Sequence, residues 1–146
     1  MKYIIGLLSV FFLFGCSKDD SAGSRVFIPE DLVVLGNPSI IGESAGTPEE
    51  PSSFIRISGN LDSQSGLELT GLKVRVRVLG ENSTVLGMSE DVCTPAEIAP
   101  GGSCTFLSAV VLANADFRES QSIEITPNCD QGTGTLRLIP VLWPDP

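Results

Sequence analysis

The stretch LKVRVRV at residues 72–78 decides the fold, because apolar and basic residues alternate in it without interruption. Successive side chains of a β-strand point to opposite faces of a sheet, so a period of two predicts one apolar and one basic face. The two faces consist of Val74, Val76 and Val78 and of Lys73, Arg75 and Arg77. Valine is β-branched and favours strand over helix. This stretch therefore predicts a strand with one side in a core and the other in solvent.

Further strand-like segments lie on both sides of this stretch, separated by turns rich in Gly and Pro. They cover residues 54–59, 84–88, 103–112, 122–126 and 134–142, and residues 25–41 read as one or two short strands. Pro140 restricts the last segment to a sheet edge or a bulge. No segment has the length and period of a core helix, and strands spaced about ten residues apart indicate a sandwich. We expect an all-β, antiparallel β-sandwich of about seven strands, with Trp143 closing one end.

The sequence of residues 71–106 resembles FxLYD-type and related immunoglobulin-like bacterial domains. The resemblance lies in an alternating strand, a turn, a strand with a small residue, and Pro-Gly before a strand that contains Phe. The matching residues are Val74, Val76, Val78, Leu79, Val85, Gly87, Pro100, Gly101 and Phe106. Gly80-Glu81 stands where the family has an aromatic residue and Asp. The resemblance implies an immunoglobulin-like sandwich and no particular function, because a fold does not fix one.

Composition excludes several classes of function. The 146 residues have a formal net charge of −9 and include no histidine. Nucleic-acid phosphates require clusters of Lys and Arg, so an acidic chain argues against that partner. Without His, the commonest general base and metal ligand are both missing, which excludes Ser-His-Asp and Cys-His catalysis and most zinc sites. We therefore expect a protein that is not an enzyme and has no cofactor or metal.

The N-terminus resembles that of a bacterial lipoprotein. Lys2 precedes an uncharged run over residues 4–15, which suits a signal peptide and is shorter than the ~20 residues that span a bilayer. Leu13-Phe14-Gly15-Cys16 resembles the lipobox, although Phe14 is bulkier than usual. The resemblance implies cleavage after Gly15 and acyl chains such as palmitate on Cys16. The alternatives are an ordinary signal peptide with a chance Cys, or an uncleaved anchor.

The residues after Cys16 indicate the membrane to which the lipoprotein would be sorted. Ser17, where Asp would retain many lipoproteins in the inner membrane, favours the outer membrane by analogy, with the leaflet left open. Residues 18–20, Lys-Asp-Asp, resemble an acidic surface-export signal and equally suit a solvated tether. The sequence thus divides into a signal peptide (1–15), a lipidated tether (16–24), short strands and a linker that can form the first sheet edge (25–53), and the sandwich (54–146).

Three cysteines follow the tether: Cys93, Cys104 and Cys129. Cysteines of exported proteins are expected to be oxidised. A Cys93–Cys104 disulfide would close a Pro- and Gly-rich loop of ten residues and contribute ~2.5–3 kcal/mol. Cys104–Cys129 is the alternative pair, and either choice leaves one thiol. Three Cys without CxxC spacing or His do not indicate a metal site.

The remaining candidates concern binding. Lys73, Arg75 and Arg77 form a candidate binding patch for an acidic glycan or a carboxylate-rich partner, unless Glu or Asp residues across the sheet neutralise them. Loops at residues 59–71 and 93–104 are further candidates. We expect a lipid-anchored cell-envelope binding or accessory protein whose ligand is an envelope protein or a glycan. The alternatives are a small periplasmic hydrolase or inhibitor, which needs a cleft with two carboxylates within ~10 Å, and a structural spacer.

Overall fold

The computed structural model describes residues 26–145, which form two antiparallel sheets and three single 3₁₀ turns. The fold is therefore the antiparallel β-sandwich that the alternation predicts. Eight strands are present in this part of the chain, one of them only two residues long. No helix among these residues is long and apolar enough to cross a membrane.

The first sheet has three strands. They run in the order β1, β2, β5, with bounds Leu32–Ser44, Ser52–Ser63 and Ser103–Ala113. β5 has strict alternation, with every second side chain from Cys104 to Leu112 buried. β2 is the central strand and is paired along its length on both sides.

The second sheet has five strands, β3, β4, β6, β7 and β8. Their bounds are Lys73–Leu79, Val85–Val92, Ser122–Cys129, Gly132–Thr133 and Arg137–Pro140. β3 lies between β4 and β6, while β7 and β8 both pair with β6 along its other edge. Because β4 pairs with β3, the first sheet consists of β1, β2 and β5 alone. These three strands correspond to strands A, B and E of immunoglobulin-like sandwiches.

The core lies between the apolar faces of the two sheets. The three valines of β3 are fully buried, as the alternation predicts. They face the buried side of the first sheet, which contributes Ile55, Ile57, Leu61, Phe106, Val110 and Leu112. Burial of an aliphatic side chain of this size stabilises by about 1.5–3 kcal/mol relative to exposure. Burial in this core is thus the main reason that the valine face of β3 points inward.

The two sheets approach each other closely along both sides of the sandwich. On one side β4 lies against β5, and a Cβ on Gly87 would be 2.7 Å from the carbonyl oxygen of Val111. On the other side the segment from β7 to β8 follows β1. There Arg137 donates a hydrogen bond to the Val34 carbonyl at 3.1 Å, and the Thr135 amide donates to the Leu32 carbonyl at 3.0 Å.

Two details differ from the sequence prediction. Residues 26–41 contain part of one strand, which is longer than the one or two short strands predicted, because β1 continues from Leu32 to Ser44 across a bulge in which Gly36 has φ +63°. The strand predicted to end at Gly59 continues to Ser63. Pairing with β1 and β5 holds β2 extended there, and the missing side chain of Gly59 leaves space for the Phe106 ring. Residues 59–63 are therefore strand and not loop.

The strands define two ends of the sandwich. The lower end contains Leu32, Ser63 and Ser103, together with residues 64–72 and 93–102. The upper end contains the turns after β1, β3 and β5 and the C-terminal residues. Phe27 lies against Gly132 at the lower end, so the described chain begins there. With a rise of about 3.3 Å per residue, the 12-residue β2 separates the ends by about 35–40 Å.

Candidate functional site

The basic residues of β3 are paired with carboxylates on both neighbouring strands. Lys73 and Arg75 lie 3.3 Å and 3.1 Å from the carboxylate oxygens of Glu90 on β4, and Arg77 lies 2.8 Å from Glu124 on β6. The strand register brings Glu90 directly opposite Arg75 and Glu124 directly opposite Arg77. The face is therefore a ladder of alternating charges, and its cations are not free for an acidic ligand without breaking these pairs.

Glu90 shows the effect of this arrangement on titration. Hydrogen bonds from Lys73 and Arg75, together with their charges, lower the pKa of the Glu90 carboxyl below its ordinary value of 4.5. Such exposed pairs contribute little free energy, since water and salt screen them. The geometry supports the interpretation that this is a solvent-facing strand, and it leaves a binding role as a hypothesis.

The structure brings Cys93 and Cys104 together at the lower end. Both are buried, with exposed fractions of 2% and 3%, and both belong to the same core cluster. Thr94 and Thr105, the next residues on each strand, exchange two backbone hydrogen bonds of 2.8 Å and 2.9 Å. The predicted disulfide is not formed in this structure, in which both cysteines are thiols.

The electrostatics of the two thiols differ. The hydrogen bond with Cys104 and burial raise the pKa of the Cys93 thiol, and the charge of Asp91 acts in the same direction. The hydrogen bond from Cys93 lowers the pKa of the Cys104 thiol.

Cys129 lies apart from this pair, at the end of β6. Its half-buried thiol donates to the Gly132 carbonyl at 3.4 Å, within the turn that leads into β7. The sulfur contact of Cys104 in the described residues is thus with Cys93 and not with Cys129, the alternative partner considered above.

The loops suggested as binding regions lie at the lower end, where hydrogen bonds connect them to each other and to the rest of the domain. The amides of Leu69 and Ile98 each donate to the carbonyl of the other, which links the two loops. Asp130 accepts a hydrogen bond of 2.9 Å from the Thr70 hydroxyl. These loops close the lower end of the sandwich, and none of their residues lines the cavity at the upper end.

A cavity of about 450 Å³ lies at the upper end instead. It is open to solvent, and its lining comes from the turn between β3 and β4 and from the connection between β5 and β6. The lining residues are Gly80, Glu81, Thr84, Leu86, Arg118, Glu119 and Gln121. The two connections meet because Leu79 pairs with Ser122 and accepts a hydrogen bond of 2.8 Å from the Gln121 amide.

A short capped turn fixes one wall of this cavity. Asp116 accepts a hydrogen bond of 2.9 Å from the Arg118 amide, and Glu119 accepts one of 3.1 Å from the Asp116 amide. This reciprocal pair is a capping box, which satisfies backbone donors that a short turn leaves unpaired. The Arg118 guanidinium lies 4.5 Å from the centre of the Phe117 ring. Two side chains that line the cavity, Arg118 and Glu119, are thus held in place before any ligand binds.

Trp143 closes the sandwich beside the same turn. Its ring packs edge to face against the Phe117 ring, with 4.8 Å between the ring centres. Its indole N–H donates a hydrogen bond of 2.8 Å to the Ser120 hydroxyl. Trp143 is half-buried, whereas Leu142 before it is 95% exposed. The structure therefore places Trp143 as a plug, the arrangement that the sequence favours.

Within residues 26–145 no three Cys, Asp or Glu side chains form a group that could hold a metal ion. Cys16, the lipobox at residues 13–16, the signal peptide and the tether all lie outside the described residues, so their assignment stays a prediction.

Comparison with known proteins bears on the fold. No protein-family model matches the chain, and no curated protein matches it. A solved structure of a β-glucuronidase from glycoside hydrolase family 2 is similar, with a TM-score of 0.50 and 10% sequence identity. The similarity covers 73% of this chain and 11% of that chain. The chain shares a β-sandwich with it. At this identity the likeness extends to the fold alone.

Sequence reasoning did not find the cavity. By sequence Glu81 lies in a turn, Thr84 begins the strand-like segment at residues 84–88, and residues 113–120 suit at most a single helical turn. The spacing of Asp116 and Glu119 is a signal that could have identified the capped wall. The capped wall faces the turn between β3 and β4 because β3 pairs with β6. No local sequence pattern reveals that pairing.

Proposed function

We propose that the protein is a lipid-anchored, non-enzymatic binding or accessory module of the bacterial cell envelope, and that it offers the upper end of its sandwich to a partner. In this proposal residues 1–15 are a signal peptide that is removed. Acyl chains on Cys16 hold the mature protein in a membrane, for which the outer membrane is the expected one. Two or three acyl chains, at ~0.8 kcal/mol per buried CH₂, suffice for stable anchoring.

One observation carries the choice of the upper end. The described chain begins at the lower end, where Phe27 contacts Gly132, and the cavity is at the opposite end. The ten residue-to-residue steps from Cys16 to Val26 span at most about 35 Å when fully extended. A tether attached at the lower end allows the upper end to face away from the membrane surface, where another molecule can reach it.

The cavity suits a polar partner. Among the described residues, the side chains of Glu81, Thr84 and Gln121 have no hydrogen-bond partner, so they offer an acceptor, a hydroxyl and an amide to a ligand. Arg118 adds a guanidinium, and Leu86 adds an apolar surface. Donors and acceptors around a small apolar floor match the hydroxyls of a glycan or the polar side chains of an envelope protein.

A second candidate function, hydrolysis, is favoured by one feature of the cavity. Its lining includes two carboxylates, Glu81 and Glu119. A catalytic acid of this type normally has its pKa raised by burial, whereas both side chains are exposed and Glu119 serves as a cap. We therefore place hydrolysis second. A Glu81→Gln variant that abolished hydrolysis of a glycan by the purified protein would reverse that order.

Membrane fractionation and site-specific photocrosslinking test the proposal. The Cys16→Ala variant should leave the membrane fraction, and a variant that remains there contradicts the anchor. A photocrosslinking residue at Thr84, at the upper end, should capture a partner in intact cells. The matched control positions are Glu97 at the lower end and Met88 on the charged face, and both side chains are exposed. Equal capture at Glu97 or Met88, or none at Thr84, contradicts the upper-end site.

A further inference from the structure

The sandwich contains two buried cysteines that belong to different sheets. Cys93 directly follows β4 of the second sheet, and Cys104 lies in β5 of the first. Backbone hydrogen bonds between Thr94 and Thr105 hold the two chain segments side by side. In an antiparallel pair the residues next to a paired couple point to the same side. Both cysteine side chains therefore project to the same side, into the core cluster that contains them both.

We propose that Cys93 and Cys104 form a disulfide that joins the two sheets in the exported protein, while Cys129 keeps its thiol. The inference rests on the proposed function in one respect, because export supplies the oxidising compartment. Cys129 is excluded from the bond by its position at the end of β6, where its thiol donates to the Gly132 carbonyl.

The reaction is a thiol–disulfide exchange with an envelope oxidoreductase in its disulfide form. One thiolate of the pair attacks that disulfide, which forms a mixed disulfide and releases one thiolate of the oxidoreductase. The other cysteine sulfur then attacks the mixed disulfide, forms the Cys93–Cys104 bond and releases the second thiolate. Two electrons and two protons pass from the cysteine pair to the oxidoreductase, which leaves as a dithiol.

The neighbourhood of the pair is consistent with a bond made during folding and then kept. Both sulfurs are buried in the core cluster, so a reductant reaches them only when this end of the sandwich opens. The ten residues between the two cysteines include two prolines and two glycines. Backbone hydrogen bonds to residues 63–72 and to Thr105, together with the buried side chain of Ile98, connect them to the rest of the domain.

Peptide mapping of the protein extracted from membranes tests the pairing. Trypsin leaves both cysteines in one peptide, residues 78–118, because no Lys or Arg lies between Arg77 and Arg118. A disulfide makes that peptide about 2 Da lighter. Further cleavage after Glu97, between the cysteines, should give two fragments that separate only after reduction. More than about nine-tenths of the peptide should be in the lighter form, since structural disulfides resist the surrounding redox couples.

Two variants and one further condition make the outcome decisive. Cys129→Ser should keep the light peptide, and Cys104→Ser should lose it. A bond found between Cys129 and either other cysteine overturns the proposal. So does a fully reduced peptide after incubation of the purified full chain with oxidised glutathione during unfolding and refolding, which exposes the buried sulfurs. If the peptide is reduced in cells but oxidises in that incubation, the pairing stands and export into an oxidising compartment is what fails.

Discussion

Gly87 provides the sharpest test of how the sandwich closes, because the expected sign is opposite to that of an ordinary strand glycine. Replacing a Gly within a strand by Ala usually stabilises by roughly 0.5–1 kcal/mol. A Cβ at Gly87, however, would lie 2.7 Å from the Val111 carbonyl oxygen and 2.8 Å from side-chain carbons of Val110 and Leu112. The oxygen belongs to the backbone of β5 and cannot move away without shifting the strand.

We therefore expect Gly87→Ala to destabilise the protein by about 1–2 kcal/mol, the cost of overpacking less the gain in chain entropy. For a domain of this size, the melting temperature should fall by about 4–8 °C. The assay is thermal and urea unfolding, followed by fluorescence of Trp143, the single tryptophan of the chain, and by circular dichroism.

The control is Gly80→Ala. A Cβ at Gly80 would meet only the Leu86 side chain, at 3.1–3.2 Å, and that side chain can rotate away. We expect a change within about 0.5 kcal/mol for this variant. If Gly87→Ala were as stable as the unsubstituted protein, or more stable, β4 and β5 would not approach as closely as described and the reasoning would be refuted.

Four further outcomes are expected. Trp143→Phe should lower the unfolding free energy by about 1 kcal/mol through the lost hydrogen bond to Ser120, as measured by urea unfolding; no loss would mean that this bond is absent in solution. The carboxyl of Glu90 has a lowered pKa in the fold, so its contribution is present above its ordinary pKa of 4.5 and is lost as the pH falls through the lower folded value. Unfolding of Glu90→Gln should therefore differ from the unsubstituted protein at pH 7 and not at pH 2, and a pH-independent difference contradicts this. A double-mutant cycle on Arg77 and Glu124 should give a coupling of about 0.5–1 kcal/mol at low salt; zero coupling would leave Arg77 free for a ligand. Reduction of the proposed disulfide should cost about 2.5–3 kcal/mol, as measured by urea unfolding with and without reductant.

Most of the strands could be predicted from sequence because each has a local signal. Alternation at residues 72–78 and 103–112 appears as β3 and β5 with boundaries within one residue. Strand boundaries that depend on pairing with a neighbouring strand could not be predicted. Gly59 reads locally as a strand end, yet pairing with strands on both sides keeps β2 extended through it.

The candidate site was less predictable than the fold for the same physical reason. The sequence identifies charged residues and turns, but whether a charge is free depends on what lies across the sheet. Arg75 reads as part of a basic patch until Glu90 is placed opposite it by the register of β3 and β4. Glu81 and Glu119 reached one cavity only through the pairing of β3 with β6.

The boundary between β4 and β5 connects the stability of the domain with its proposed site. β4 and β5 belong to different sheets and are not paired with each other. Three side-chain oxygens on them, of Ser89, Asp91 and Ser108, are buried without a partner among the described residues. Close approach at Gly87 holds the upper part of this boundary, and the cysteine pair holds the lower part. Because both act on one boundary, their effects should not add. Gly87→Ala should cost more free energy in the reduced protein than in the oxidised one, since each loss leaves the other contact to hold β4 in place. β4 begins at the turn that lines the cavity, so loosening this boundary should also weaken capture at that end.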